Sequence, residues 1–117
     1  MADDFFRHDV YVMNVRGTVF SLKHEVLKTS CAKYWDFSFQ DQKYDILAAL
    51  KFVRDKTNQK VEYIAHSQGS TAMFAALSHP DDEIRQYVQE SVNRFYSFAP
   101  VIFMVSKHQK NFSTPQF

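Results

Sequence analysis

Glycine and cysteine are scarce in this sequence. Only Gly17 and Gly69 occur among 117 residues, whereas an average composition of about 7% glycine would give about eight. Two glycines so far apart cannot form the glycine-rich loops that bind dinucleotides or nucleoside triphosphates. A single cysteine, Cys31, excludes an internal disulfide and a cysteine-based metal site. We therefore predict no metal ligands in this chain.

An excess of charge of one sign is also missing. Fourteen Lys and Arg oppose thirteen Asp and Glu, which gives a formal net charge of +1. The two signs are interspersed, so the sequence lacks the basic surface expected of a nucleic-acid-binding protein. No apolar run approaches the roughly 18 residues of a membrane span. The acidic first residues lack an apolar core, so we expect no signal peptide, and the compartment stays open.

What the sequence does contain is an apolar content of 45% and an aromatic content of 16%, ample for the core of one small domain. Its patterns alternate between strand and helix. Strands separated by helices imply parallel pairing, so we predict an α/β fold with about three parallel strands in one sheet. The predicted strands are residues 10–15, 60–65 and 94–98; helices are predicted over 43–56, 70–78 and from residue 80, and 18–41 form an irregular connection.

One segment has the pattern of a catalytic nucleophile. His66, Ser67 and Gln68 stand between the second predicted strand and the helix that follows it. A nucleophile elbow needs a serine on a sharp turn there, with small residues two positions before and after it. Ala65 and Gly69 meet that requirement, with alanine where glycine is usual. Ser67 is thus the candidate nucleophile, and the backbone N–H of Gln68 the candidate oxyanion donor.

The surrounding residues resemble the acid lipases, the gastric and lysosomal type of α/β-hydrolase. Besides the elbow, the resemblance extends over roughly residues 2–101, in order along the chain. The run from Asp9 to Gly17 resembles the family's D-V-W-x-G-N-x-R-G, with Met13 in place of a glycine. Three further matches follow, which are F-S-x-x-H from Phe20, W-x-F-S-F with Y-D from Trp35 to Asp45, and F-A-P from Phe98.

The resemblance implies a serine ester hydrolase of lipid metabolism. Such enzymes cleave lipid esters such as triglycerides and cholesteryl esters through a Ser-Asp-His triad, without cofactor, and are secreted or lysosomal. It also implies that Arg16 and Asp45 pair. The family's triad acid and histidine, and its upstream His-Gly loop, have no counterpart in residues 1–117, which we therefore expect to be the central portion of an incomplete catalytic domain. His108 is the best local substitute base.

Two interpretations remain open at this point. The first is a lipase whose activity depends on those further segments. The second is an inactive remnant, or pseudoenzyme, that acts only by contact with lipid or protein, since open sheet edges favour association. Of the remaining candidates, Asp81 and Asp82 are predicted to start a helix, His66 to be packed, and His79 to be a cation at the end of a helix or a surface residue. Cys31 is predicted to be a buried apolar residue.

Overall fold

The structure is a computed structural model, and it describes residues 8–102. A short connection of two 3-10 helices, Ala32–Trp35 and Phe39–Asp41, leads into three α-helices and two strands. In chain order these elements are α1 (Gln42–Thr57), β1 (Val61–His66), α2 (Gln68–Leu77), α3 (Asp82–Ser91) and β2 (Val92–Phe98). The α/β prediction is therefore confirmed in the described part of the chain, with helix and strand bounds close to those predicted.

The two strands pair in parallel. Ile64 lies opposite Tyr96 and Ala65 opposite Ser97. The register shifts by one residue at the start of the sheet, where Asn93 has no partner between Val61 and Glu62. The crossover between the strands consists of α2 and α3, the arrangement that parallel strands require.

The predicted third strand, residues 10–15, is not a strand in the structure. Its side chains do alternate, because Val10 and Val12 are more than 80% exposed whereas Met13 packs against the core. Its carbonyls, however, accept hydrogen bonds from the turn that follows, from Thr18 and Ser21. Among residues 8–102 it has no neighbouring strand to complete a hydrogen-bonded ladder, so an extended pattern alone does not make it part of the sheet.

The core lies between one face of the sheet and the three helices. Phe95 packs edge-on against Tyr63 of the neighbouring strand at 5.6 Å and against Phe74 of α2 at 5.3 Å. The fully buried apolar residues come from all three helices, so each helix has one apolar face toward the sheet. They are Ile46, Leu50, Ala72, Met73, Ala76 and Val88.

The opposite face of the sheet is bare in the described part of the chain. Every second residue of each strand is exposed there, namely Glu62, Ile64, His66, Arg94, Tyr96 and Phe98. Parallel sheets are normally covered on both faces. This two-layer arrangement therefore leaves apolar side chains in solvent, with Ile64 69% exposed.

Candidate active site: the serine turn between β1 and α2

Ser67 occupies a strained backbone conformation in the turn between β1 and α2, residues 65–69, which we call the serine turn. Its φ is 50° and its ψ is −117°, a region that costs a residue with a side chain on the order of 1–3 kcal/mol. Hydrogen bonds on both sides hold it there. Its N–H donates to the carbonyl of Phe98 at 2.9 Å, and its carbonyl accepts from Ser70 at 3.0 Å and Thr71 at 3.2 Å.

Small side chains let the strand and the helix approach each other around Ser67. A Cβ placed on Gly69 would lie 3.4 Å from the Cβ of Ala65, at the limit of ordinary van der Waals contact. The hydroxyl of Ser70 donates to the carbonyl of Ala65 at 3.2 Å, so a hydrogen bond also joins α2 to β1. Larger residues at either position would push the helix away from the strand and open the turn.

Gln68 is the first residue of α2. The first backbone N–H groups of a helix have no partner within it, and those of Gln68 and Gly69 donate no hydrogen bond to any described residue. They therefore remain available to an anion beside Ser67, where the positive end of the helix dipole also lies. The side chain of Gln68 is engaged, since its Nε2 donates to Oε1 of Gln42 at 3.0 Å.

Within residues 8–102 the Ser67 hydroxyl forms no hydrogen bond to an imidazole or a carboxylate. His66 is exposed on the bare face of the sheet, so the prediction that it is packed is wrong. Neighbouring strand residues point to opposite faces, and Ala65 takes the helix-covered one. The proposed substitute base His108 lies outside the described residues.

The remaining histidine and acidic candidates belong to the turn between α2 and α3. His79 directly follows Ser78, the C-cap of α2, and is only 6% exposed, so of the two predicted alternatives the surface position is wrong. Its Nδ1 accepts from the N–H of Asp81 at 3.1 Å, and its carbonyl accepts from Arg85 at 2.9 Å. Asp81 caps α3 and Asp82 pairs with Arg85. These contacts stabilise a helix start and do not serve Ser67.

Cys31 is exposed, so the prediction that it is buried is wrong. It precedes the 3-10 helix Ala32–Trp35, from which only Tyr34 is buried. No group of three potential metal ligands occurs among the described residues, and no helix there is long and apolar enough to cross a membrane.

Arg16 and Asp45 form a multidentate pair that fixes the start of α1. The Arg16 Nε lies 3.0 Å from both carboxylate oxygens and its terminal nitrogen 2.9 Å from one, while its backbone N–H donates at 3.1 Å. The hydrogen bond to Asp45 raises the pKa of Arg16. A cavity of about 450 Å³ lies beside this pair, lined also by His24 and Tyr34, and does not include the serine turn.

Sequence reasoning missed two contacts around Ser67. One is the bond between Gln42 and Gln68; the signal for it was a polar residue at the start of an amphipathic helix, and its partner could not be read from the sequence. The other is the hydrogen bond that the Thr71 hydroxyl donates to the carbonyl of Val101 at 2.9 Å, just after the end of β2. The chain turns there at Ala99, whose φ is 45°. Both connect the serine turn to residues distant in sequence.

Comparison with known proteins gives consistent matches to lipases. The chain is 36% identical over 104 residues to the lysosomal acid lipase/cholesteryl ester hydrolase of Macaca fascicularis, covering 87% of this chain and 24% of that protein. It is 36% identical over 96 residues to the gastric triacylglycerol lipase of Mus musculus, covering 80% and 23%. For triacylglycerol lipase 1 of Arabidopsis thaliana the identity is 34% over 105 residues, covering 89% and 25%.

These relatives, together with a serine turn between a parallel strand and a helix, imply the α/β-hydrolase fold class. Within that class, the chain belongs to the acid lipase family of lysosomal and gastric type. It spans about a quarter of the length of the curated relatives it matches. No family model matches the chain, and no solved structure matches it.

Proposed function

We propose that this chain carries the nucleophile of a carboxylic ester hydrolase that acts on lipid esters, of the triglyceride or cholesteryl ester type. The observation that carries the proposal is the strained backbone of Ser67 at the junction of β1 and α2. Backbone strain in a residue with a side chain persists only where the surrounding structure enforces it, and it clusters at functional sites. Family membership supplies the substrate class.

In the proposed reaction the Ser67 hydroxyl oxygen attacks the ester carbonyl carbon. The resulting oxyanion accepts hydrogen bonds from the free N–H groups at the start of α2, Gln68 foremost. The bond to the alcohol then breaks, and the alcohol leaves with the proton that the serine gave up, so an acyl-serine remains for water to hydrolyse. The base that transfers this proton lies outside residues 8–102 in this proposal.

We further propose that residues 1–117 form the central portion of a larger lipase domain. Two observations support this. Among residues 8–102, nothing covers the face of the sheet that carries Ile64, and no strand lies beside the alternating segment 10–15. Both features are expected when the strands and helices that complete and cover a sheet come from other parts of a longer chain.

A second function is favoured by the same bare face. The side chains of Ile64, Tyr96 and Phe98 are 41–69% exposed. No base among residues 8–102 forms a hydrogen bond with the Ser67 hydroxyl. An inactive remnant that binds lipid or protein through this surface and through its open sheet edges would have these features.

A fluorophosphonate probe separates the two functions, because an activated serine displaces fluoride and retains the phosphonyl group. We expect the full chain to be labelled and Ser67→Ala to lose the label. Ser30→Ala is the matched control, since Ser30 is exposed and distant in sequence from the turn. A folded chain that takes up no label, or a Ser67→Ala variant labelled like the wild type, would exclude hydrolysis by Ser67 in this chain on its own and favour the inactive remnant.

A further inference from the structure

A single amide–amide hydrogen bond joins the first residues of two helices beside Ser67. Gln42 begins α1 and Gln68 begins α2. The Gln68 Nε2 donates to Oε1 of Gln42 at 3.0 Å, across 26 positions of sequence. The described residues offer Gln68 no other side-chain partner, and Gln68 lies next to the proposed nucleophile.

The two glutamines differ in their surroundings. Gln42 is 6% exposed, and a buried amide without a hydrogen-bond partner is destabilising. Gln68 is exposed, so its side chain would be free to move among rotamers if Gln42 did not accept its hydrogen bond. A long, unbranched glutamine side chain loses rotamer entropy when it is fixed. The buried Gln42 therefore immobilises the otherwise mobile side chain of Gln68, next to Ser67.

We propose that Gln42 is a positioning residue for the oxyanion donor, an inference that rests on the proposed function. By holding the Gln68 side chain against the start of α1, it keeps that side chain out of the space in front of Ser67. It also fixes the conformation of the residue whose backbone N–H donates to the oxyanion. Oxyanion stabilisation depends on donors held in place before the reaction, because reorientation during it costs energy.

The test compares Gln42→Leu with Gln40→Leu in the full chain, using the fluorophosphonate probe. Gln40 is exposed on the preceding 3-10 helix, so it controls for the change from amide to aliphatic side chain. Loss of one oxyanion donor costs about 100- to 1,000-fold in rate. Since misplacement removes only part of that, we expect Gln42→Leu to lower the maximal labelling rate about tenfold, with the probe's binding constant unchanged and Gln40→Leu like the wild type.

Gln68→Met provides a second route, because this exposed side chain can change without emptying the core. It should slow labelling as Gln42→Leu does, and the double variant should be no slower than either single variant, because both remove the same bond. Additive losses would overturn the proposal. So would a Gln42→Leu chain that is labelled at the wild-type rate.

A spectroscopic measurement keeps the inference separate from the proposed function. The backbone amide resonance of Gln68 should shift and its hydrogen exchange should change in Gln42→Leu and not in Gln40→Leu. If the wild-type chain takes up no label, hydrolysis by this chain on its own fails, while this measurement still decides the positioning role. An unchanged Gln68 amide in a folded Gln42→Leu chain would overturn it.

Discussion

Replacing Asp45 with alanine tests how much of the fold depends on the contact between the segment after residue 15 and α1. Asp45 accepts hydrogen bonds from Nε, a terminal nitrogen and the backbone N–H of Arg16, all between 2.9 and 3.1 Å. The Asp45 side chain is 18% exposed and that of Arg16 36%. The variant removes every one of these bonds and leaves the guanidinium and a backbone N–H without this partner.

The expected loss follows from burial and geometry. Hydrogen bonds to charged groups contribute about 1.5–3 kcal/mol each where they are buried, whereas exposed ion pairs contribute about 0–1 kcal/mol. Arg16 is partly solvated and Asp45 largely covered, and the bonds share one carboxylate, so their contributions do not add. We expect Asp45→Ala to lower the free energy of unfolding by about 2 kcal/mol, which for a domain of this size is roughly 8–16 °C in melting temperature.

Thermal and urea unfolding followed by circular dichroism and by tryptophan fluorescence measure this loss. Trp35 is the only tryptophan, and its ring lies 3.3 Å from a Cβ placed on Gly17, the neighbour of Arg16. Its emission therefore reports on the packing around Gly17, next to this contact. Asp55→Ala is the control, because Asp55 lies exposed on the same helix. A melting temperature for Asp45→Ala within 2 °C of the Asp55→Ala value would refute the reasoning.

Two further predictions concern the sheet. Burial raises the pKa of Tyr63 to about 12, above the value of about 10 in the unfolded chain. The contribution of Tyr63 to the free energy of unfolding should therefore be full below pH 10 and be lost between pH 10 and 12. Tyr63→Phe should remove that loss in alkaline unfolding curves, and a curve like that of the wild type would contradict the prediction. Both edges and one face of the sheet are uncovered among the described residues, so the chain should self-associate in sedimentation experiments. Ile64→Lys should lower the weight-average mass because edge charges oppose pairing; equal masses for both chains would count against association through the sheet.

The serine turn shows which part of the site is local in origin. The succession of a β-branched strand, a serine between small residues and an alanine-rich helix predicts the turn from adjacent residues, because each requirement is a steric one within six positions. The structure adds that Ser67 is held at its positive φ from outside this segment, by the carbonyl of Phe98. That partner lies 31 residues away and depends on the parallel pairing of β1 with β2.

The predicted strand at residues 10–15 shows the opposite case. Its alternation of side chains is real, with Val12 exposed and Met13 packed. Alternation records the environment of the side chains, however, whereas a strand is defined by the hydrogen bonds of its backbone to a neighbour. The predicted burial of His66 and the predicted exposure of His79 are wrong for a related reason. Which face of a strand is covered, and whether a turn is buried, depend on how the helices pack.

The local elements follow from the sequence alone: which stretches are helical, where the serine turn lies, and that glycine or alanine must flank Ser67. Periodicity, capping residues and steric size act over a few positions, so they can be read directly from neighbouring residues. Which face of the sheet is covered, and which partner Gln42 has, depend on the packing of elements distant in sequence: Gln42 meets Gln68, and Arg16 meets Asp45 as the family resemblance implies. Those contacts join residues 26 and 29 positions apart, because the packing of α1 against its neighbours brings their atoms within hydrogen-bond distance.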